Sequence, residues 1–346
     1  MQGAEITVDW LRETLGGDIG AIETERIGDG HIGVNVRVRL VDHDASLPDS
    51  VVLKLPATDD ASLTAAKMLR HYEREVRFYQ EIAATVDIRV PHCHHAAWDP
   101  ATNDFDLVLE DMAPAAQGDQ LTGCSLEQAH DAVRELARLH APRWDDPALD
   151  EVDWMEHAGR GDGEAGAGLA MMWQMFWPAF LEGHRRHLAD DEVALGDAFG
   201  ARLTEWRVGH TGPRTVTHGD YRLDNMLFVT GPGQPPVTVV DWQSPAHGTP
   251  ITDLSYFCSA GLLPPDRRQH ERALVASYAE ALTEYGSDLD DDWLWTEYRR
   301  DPFAGLVTAV VASQIVTLNE RSEAMFGAMA SRALRMALDL DSFDVF

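Results

Sequence analysis

The residues between 218 and 241 combine carboxylates, an amide and a histidine at short intervals. The run HGDYRLDN places Asn225 five residues after Asp220, and Asp241 follows at the end of a short apolar stretch, VVD. Carboxylate and amide oxygens are ligands that suit Mg²⁺. A carboxylate beside a hydroxyl can orient it and accept its proton. Asp and Asn in loops also form ordinary turns, so the ordered set is more informative than any one residue.

Phosphoryl transfer from a nucleotide to an alcohol requires this combination of groups. The acceptor hydroxyl has to be oriented, Mg²⁺ has to be bound by oxygen ligands, and the phosphates need a cation. The spacing of Asp220 and Asn225 is that of a kinase catalytic loop. We therefore expect Asp220 to act on the hydroxyl, and Asn225 and Asp241 to bind Mg²⁺.

The chain contains only two lysines, Lys54 and Lys67, whereas arginine supplies its other basic side chains. Lys54 lies in the apolar stretch VVLKL, where a kinase carries the lysine that binds phosphates. The alternative is an exposed lysine on a strand. Glu75, in a predicted helix, is the partner of Lys54 that a resemblance to kinases implies. Glu73 is the competing candidate, and helix glutamates are often only solvated surface residues.

A glycine motif, GxGxxG, precedes Lys54 and consists of Gly28, Gly30 and Gly33. In a dinucleotide-binding fold a helix would follow this motif directly. Here apolar and polar residues alternate from 33 to 41, which is typical of a strand. The pattern favours a strand–loop–strand segment over phosphates, with a plain hairpin turn as the alternative.

The elements that must position these residues can be read from the periodicity. We predict strands at 33–41, 51–55, 107–109, 225–229 and 237–240, helices at 62–84, 126–140 and 302–319, and a glycine-rich loop at 158–168. The apolar stretch 169–181 fits either a core helix or the lining of an acceptor pocket. A boundary near residue 112 divides the chain into domains 1–112 and 113–346, because a Pro/Gly-rich stretch follows it.

Composition excludes several classes of function. The chain has 346 residues and a formal net charge of −30, which would repel nucleic acid. Its three cysteines fit a reducing compartment, and no signal peptide or membrane span is expected, so we predict a cytoplasmic protein. The sequence determines neither its oligomeric state nor the acceptor.

The motifs HGDYRLDNMLF and VVDWQ resemble those of the aminoglycoside phosphotransferase, choline kinase and ecdysteroid kinase-like superfamily of protein-kinase-like small-molecule kinases. The segments LVLEDM and LARLHA extend the resemblance. It implies ATP and Mg²⁺ as cofactors, Asp220 as catalytic base, and Asn225 and Asp241 as metal ligands. It further implies that His218 is a structural residue of the loop and that Asp253 supports that loop.

The resemblance also implies that the adenine binds the backbone of Glu110, Asp111 and Met112. The expected fold is α+β and kinase-like, with a small β-sheet N-lobe carrying one main helix and a larger, mainly helical C-lobe. The expected function is transfer of the γ-phosphate of Mg-ATP to a small-molecule alcohol. The alternatives are a catalytically weak kinase-like binding protein, an aminoglycoside-type antibiotic phosphotransferase and, less compatible with the strand after Gly33, an NAD-dependent enzyme.

Overall fold

The computed structural model describes residues 6–28, 32–157, 163–229, 236–287 and 289–346. The chain divides into two compact units, each with its own core. Unit 1 comprises Met1–Ala84, Val90–Ala115 and Val240–Gln243; unit 2 comprises Thr85–Arg89, Ala116–Val239 and Ser244–Phe346. Unit 1 therefore includes a short segment, Val240–Gln243, that lies far along the chain from the rest of it.

Unit 1 is built on an antiparallel sheet. Its strands are β1 (Ile19–Ile27), β2 (Gly33–His43), β3 (Ser50–Pro56), β4 (Cys93–Trp98) and β5 (Phe105–Glu110). They pair in the order β1-β2-β3-β5-β4. In the register of β3, Lys54 lies between Asn35 on β2 and Leu107 on β5. The predicted strands at 33–41, 51–55 and 107–109 are confirmed.

The core of unit 1 lies under one face of this sheet. Its fully buried members include Val38 of β2, Leu53 of β3 and Leu11 of the first helix, α1 (Val8–Leu15). Alternating strand residues reach this core because successive side chains of a strand point to opposite faces. A hydrophobic core thus fixes the strand that carries Lys54.

The predicted helix at 62–84 is wrong as one continuous element. The structure has α2 (Asp60–Met68), α3 (His71–Arg77) and a π-helical turn at Phe78–Ile82. Between α2 and α3, Arg70 has a φ of 56°, a left-handed conformation that interrupts the helical hydrogen bonding. Apolar spacing continues across the break, which is why periodicity alone did not reveal it.

Unit 2 is mainly helical. Its helices are α4 (Leu126–His140), α5 (Gly163–His184), α6 (Asp190–Val208), α7 (Ile251–Gly261), α8 (Pro264–Glu284), α9 (Asp291–Arg300), α10 (Pro302–Ile315) and α11 (Glu320–Asp339). Helix α4 has the predicted bounds and begins with a capping box between Ser125 and Gln128. The predicted loop at 158–168 is wrong from Gly163 onward, where α5 has already begun; residues 158–162 lie outside the described residues.

The apolar stretch 169–181 belongs to α5 and to the core of unit 2. Trp173 and Trp177 are stacked with ring centroids 5.2 Å apart and are 3% and 4% exposed. Phe199 of α6 stacks on Phe303 of α10 at 4.2 Å. Helix α10 is a core helix, as predicted, but it ends at Ile315 and does not extend to residue 319. Among the described residues, no helix is long and apolar enough to cross a membrane.

Short strands carry the segments with candidate site residues. They are β6 (Ala116–Gln117), β7 (Glu156–His157), β8 (Thr215–Thr217), β9 (Met226–Phe228), β10 (Val237–Val239) and β11 (Ala246–Gly248). One small sheet has the order β10-β9-β6, the other β7-β11-β8. Strand β8 leads directly into His218, and β9 pairs with β10 antiparallel. The connecting residues 230–235 lie outside the described residues.

Candidate active site

In unit 1, Lys54 is held by two carboxylates. Its Nζ lies 2.7 Å from Oε2 of Glu75 on α3 and 2.5 Å from Oδ1 of Asp241. The side chain of Glu75 is 2% exposed, that of Lys54 12% and that of Asp241 26%. Glu73, the competing candidate, instead contacts Arg70 at 2.8 Å. The structure thus brings together three residues that are far apart in sequence.

The position of Asp241 is fixed by its neighbour and by its backbone. Trp242 is fully buried and stacks on Phe78, with ring centroids 3.8 Å apart and planes 2° from parallel. Phe78 directly follows α3, the helix that carries Glu75. Asp241 itself has a φ of 69°, a left-handed conformation that Asp tolerates better than most residues. This stack anchors Asp241 next to the helix of Glu75.

The electrostatics of this cluster follow from two carboxylates sharing one ammonium. Burial lowers the pKa of Lys54, but the charges of Asp241 and Glu75 outweigh it, so the pKa is raised and the lysine stays cationic. Burial, together with the charge of Asp241, raises the pKa of Glu75 to about 7. A cluster with one more acid than base is suited to take up a further cation beside Asp241.

In the sequence, the glycine motif lies between the end of β1 and the start of β2. Gly28 has a φ of 69°, which favours glycine. At Gly33 an added Cβ would come within 3.0 Å of the Leu55 carbonyl oxygen and 3.7 Å of the Lys54 side chain. Gly33 therefore allows β2 to pass close to the strand of Lys54. Gly30 lies outside the described residues.

The last residue of β5 and the residues just after it form hydrogen bonds within unit 1. Both carboxylate oxygens of Asp111 accept hydrogen bonds from Arg37, at 2.7 and 3.1 Å, and Ser50 donates another at 2.7 Å. Burial opposes ionisation of Asp111, but these donors keep its pKa below the usual value. Glu110 accepts from the His92 backbone at 3.0 Å, and the Met112 carbonyl accepts from Ala115 at 2.8 Å.

In unit 2, Asp253 holds the start of the HGD segment. Its fully buried carboxylate accepts the backbone N–H groups of His218 at 2.6 Å and Gly219 at 3.0 Å. Nδ1 of the buried His218 in turn accepts the backbone N–H of Asp220 at 3.2 Å. Gly219 has a φ of 78°, and an added Cβ would lie 2.3 Å from the Ser244 carbonyl oxygen. No residue other than glycine fits there without rearrangement.

The Asp220 carboxylate accepts hydrogen bonds from three side chains. Nε of Arg222 lies 3.1 Å from both of its oxygens, Nδ2 of Asn225 2.9 Å from Oδ2, and the Tyr256 hydroxyl 2.8 Å from Oδ1. The Asp220 side chain is 14% exposed. A carboxylate that is fixed yet accessible can orient a hydroxyl and receive its proton.

The sequence analysis missed Arg222 and Tyr256. Arg222 stands two residues after Asp220, inside the motif itself, so a basic residue between the acidic ones was an available signal. Tyr256 lies three residues after Asp253 on α7, and residues at this spacing share a helix face. The face of α7 that supports the loop backbone therefore also contacts Asp220.

A second carboxylate, Asp224, organises the middle of the loop. It accepts from Nη1 of Arg222 at 2.9 Å, from both Nη atoms of Arg321 on α11 at 3.0 Å, and from the Gln120 backbone at 2.9 Å. Burial raises the pKa of Asp224, but the two arginines outweigh it and the pKa is lowered. The buried Gln120 also accepts the Leu223 N–H at 2.9 Å through its side chain.

The residues predicted to bind Mg²⁺ carry suitable donor atoms. Asn225 uses Nδ2 to donate to the side chain and to the backbone carbonyl of Asp220, both at 2.9 Å, which fixes the amide so that Oδ1 remains an acceptor. Asp241 supplies carboxylate oxygens in an acid-rich cluster. An amide oxygen and a carboxylate are the hard ligands that Mg²⁺ prefers, so the chemistry of these residues fits the ion.

A separate group in unit 2, Asp150, His157 and His247, has ligand atoms within 4.8 Å of one another. Oδ1 of Asp150 lies 3.3 Å from Nδ1 of His247 and 3.5 Å from Nη1 of Arg214. The guanidinium of Arg214 already places a positive charge at this carboxylate. We therefore assign no metal to this group.

Two comparisons with known sequences match parts of the chain. The model of the ecdysteroid kinase-like family matches residues 183–290, a range that includes Asp220, Asn225, Asp241 and Asp253. A segment of 67 residues is 39% identical to mouse (Mus musculus) acyl-CoA dehydrogenase family member 10. That segment spans 18% of this chain and only 6% of the mouse protein.

Solved structures extend the likeness to the whole chain. Choline kinase from Cryptosporidium parvum aligns with a TM-score of 0.64 and 10% identity, over 98% of this chain and 96% of that one. The GDP and kanamycin complex of an aminoglycoside 2''-phosphotransferase aligns with a TM-score of 0.51 and 14% identity, over 89% and 93% of the two chains. The resemblance seen in the sequence is confirmed: the chain has the fold of the protein-kinase-like small-molecule kinases, and residues 183–290 carry the ecdysteroid kinase-like pattern.

Proposed function

We propose that this protein is a kinase that transfers the γ-phosphate of Mg-ATP to the hydroxyl of a small molecule. The observation that supports this most is the buried cluster of Lys54, Glu75 and Asp241. Burying an ammonium with two carboxylates costs free energy, and hydrophobic side chains would often stabilise a core as well or better. Perturbed charged clusters of this kind are typical of functional sites.

On the donor side, Lys54 binds phosphate oxygens and Glu75 keeps the ammonium in position. As the motif implies, the glycine segment with Gly28, Gly30 and Gly33 would contribute backbone N–H groups to the phosphates. The backbone of Glu110, Asp111 and Met112 binds the adenine. The hydrogen bonds that Asp111 accepts from Arg37 and Ser50 would hold this segment in place. Asn225 and Asp241 bind Mg²⁺, which supplies charge neutralisation of the phosphates when bound.

On the acceptor side, Asp220 orients the hydroxyl. The acceptor oxygen forms a bond to the γ-phosphorus, the bond from that phosphorus to the ADP oxygen breaks, and the hydroxyl proton passes to Asp220. Asn225 and Tyr256 hold the carboxylate in one orientation throughout. His218 and Asp253 maintain the loop backbone.

The acceptor is proposed only as a small alcohol. The buried Trp173 and Trp177 serve the core, so the aromatic stretch of α5 no longer argues for an apolar acceptor. The net charge of −30 favours cationic molecules over anionic ones through long-range steering. Two structural relatives are named with cationic molecules. One is a choline kinase, and the other is an enzyme in complex with kanamycin.

The test is a panel of alcohols, including choline and kanamycin, assayed for ADP release with Mg-ATP. Asp220→Ala should abolish release while the thermal shift caused by Mg-ATP persists, because Asp220 acts on the acceptor. Asp9→Asn, at a side chain 88% exposed on α1, is the matched control. Absence of any thermal shift with Mg-ATP would instead favour a binding protein that has lost nucleotide chemistry.

A further inference from the structure

In unit 2, the short segment 117–120 supports the loop that starts at HGD. The Gln117 side chain donates to the backbone carbonyl of Asp224 at 2.6 Å. Gln120 donates its N–H to the Asp224 carboxylate and accepts the Leu223 N–H through its side chain, both at 2.9 Å. The middle of the loop is therefore held by residues that lie about 100 positions earlier in the chain.

Helix α7 supports the same loop through different groups. Its Asp253 accepts two backbone N–H groups of the HGD segment, and its Tyr256 donates to the Asp220 carboxylate. The loop thus has two supports that are not neighbours in sequence. Its geometry depends on keeping these two supports, the segment 117–120 and α7, in a fixed position relative to each other.

Arg332 of α11 joins the two supports. Its Nη1 donates to the backbone carbonyls of Gln120 and Ala260, both at 2.8 Å, and its Nη2 donates to the Leu121 carbonyl at 2.7 Å. Ala260 lies in the last turn of α7, where carbonyl groups lack intrahelical partners and favour a cation. A guanidinium is planar and its N–H groups have set directions, so one side chain fixes the relative positions of three carbonyls.

Filling of space does not explain why Arg332 is buried. The residue is 8% exposed, and within the described residues its hydrogen bonds go to backbone carbonyls and none goes to a carboxylate. Burial lowers the pKa of Arg332, the charge of Asp119 opposes this, and arginine stays cationic in proteins. Burying a cation without a contacting counter-ion costs free energy that an apolar side chain would not cost. The three carbonyls are therefore what Arg332 is placed to bind.

On the basis of the proposed function, we propose that Arg332 is a positioning residue for phosphoryl transfer. In the part of the chain that the structure describes, it forms no hydrogen bond with a residue that we assign to phosphate, Mg²⁺ or acceptor. It acts through Gln120, which holds the middle of the loop, and through the end of α7. Without Arg332 the two supports would shift against each other, and Asp220 and Asn225 would no longer be held in one geometry. A displacement of a reacting group by about 1 Å can lower a rate by about 100-fold.

Hydrogen–deuterium exchange of the full chain, followed by mass spectrometry, tests the positioning role directly. In Arg332→Met, peptides that cover 218–226 should exchange about 10-fold faster than in the wild type, because the support of the loop loses the hydrogen bonds of a charged donor. Arg267→Met is the matched control. Arg267 is also buried, at 1% exposed, but it pairs with Glu271 and Asp339, and its loss should leave exchange in 218–226 unchanged.

Two results of this measurement would overturn the proposal. Unchanged exchange in 218–226 of Arg332→Met would show that the loop does not depend on Arg332. An equal increase in Arg267→Met would show that the loss of any buried arginine loosens unit 2.

Steady-state kinetics of ADP release tests the consequence for the reaction. In Arg332→Met, kcat should fall by about 10-fold, whereas KM for ATP should change much less, because Arg332 does not hold Lys54 or Glu75. An unchanged kcat in the folded variant, or a loss confined to KM, would contradict the proposal.

Arg332→Lys is the conservative variant, and it also serves if Arg332→Met does not fold. Its single nitrogen keeps the charge but cannot hold three carbonyls in the geometry of a guanidinium. Both kcat and the exchange rate in 218–226 should therefore lie between those of the wild type and of Arg332→Met. A folded Arg332→Lys protein that matches the wild type in both measurements would count against the proposal.

The two measurements separate this proposal from the proposed function. If the wild type releases no ADP with any acceptor, the proposed function is wrong, and the exchange measurement alone decides whether Arg332 holds the loop. If the wild type is active and Arg332→Met matches it in exchange and in kcat, only the positioning role is wrong.

Discussion

The hydroxyl of Tyr256 donates a hydrogen bond of 2.8 Å to Oδ1 of Asp220, across an interval of 36 residues in the chain. Tyr256 is 1% exposed and lies on α7, the helix whose Asp253 binds the backbone of the HGD segment. One helix thus fixes both the backbone of the loop and the orientation of its carboxylate.

Tyr256→Phe should lower kcat for ADP release by about 10-fold, because a hydrogen bond to a charged group contributes about 1.5–3 kcal/mol and its loss leaves Asp220 less constrained. KM for ATP should change little. Steady-state kinetics with any active acceptor measures both constants. Tyr298→Phe removes another buried hydroxyl, bound to Glu271, and should leave kcat unchanged. An unaltered kcat in Tyr256→Phe would show that Asp220 does not need this donor.

Glu75→Gln should weaken Mg-ATP binding by about 10-fold, since the neutral amide no longer holds the Lys54 ammonium against the pull of Asp241. Titration calorimetry with Mg-ATP measures the change. Glu73→Gln is the matched control on the same helix, because Glu73 pairs with Arg70 instead. Equal weakening in both variants would mean that the charge of the helix matters and the ion pair with Lys54 does not.

Gly219→Ala should destabilise the protein by about 3 kcal/mol or more, because it combines a left-handed φ of 78° with a Cβ placed 2.3 Å from a carbonyl oxygen. Urea unfolding of unit 2, followed by tryptophan fluorescence, measures the loss. Gly168→Ala lies in α5 with no atom within 4 Å of the new Cβ, and should stabilise by about 0.5–1 kcal/mol. A tolerated Gly219→Ala would show that the segment near Ser244 can move.

The environment of His210 allows a prediction of how the free energy of unfolding depends on pH. Its ring lies 3.0 Å from Asp301 and 3.2 Å from Glu297. Burial lowers the pKa of His210, but these two carboxylates outweigh it and raise the pKa to about 9. A histidine whose pKa is raised on folding contributes stability below its unfolded pKa of about 6.5 and loses that contribution as pH rises through the folded value.

The free energy of unfolding should therefore fall between about pH 6.5 and 9, by at most about 3 kcal/mol from this group. Urea titrations at several pH values measure the fall. In His210→Gln the decline over this window should be absent, and the variant should be less stable than the wild type near neutral pH. A wild-type curve that stays flat up to pH 9 would contradict a charged His210.

The sequence made the local parts of the site predictable. Asp220 and Asn225 stand five residues apart in one loop, so their spacing alone indicates that they work together. Lys54 could be found because lysine is rare in this chain and because it stands within a short apolar stretch. Strands β2, β3 and β5 and helix α4 were predictable because their apolar spacing is a local signal, whereas β1 and β4 were not predicted.

Long-range contacts could not be predicted in this way. Nothing in the sequence near Tyr256 or Arg321 indicates that they contact Asp220 and Asp224, since that depends on how the helices pack. The break at Arg70 was hidden because the left-handed conformation of one residue leaves no trace in hydrophobic spacing. The exact contacts of Asp241 likewise depend on Trp242 stacking on Phe78.

Gln120 illustrates a consequence for protein engineering. Its N–H binds Asp224, its side-chain carbonyl binds the Leu223 N–H, and its backbone carbonyl accepts from Arg332 of α11. The octapeptide HGDYRLDN is consequently not a portable module. A chimaera that receives the octapeptide without Gln120 and α11 would contain the reactive groups but would lack the contacts that orient them. New specificities are therefore better sought by changing the residues around the loop than by transplanting the loop.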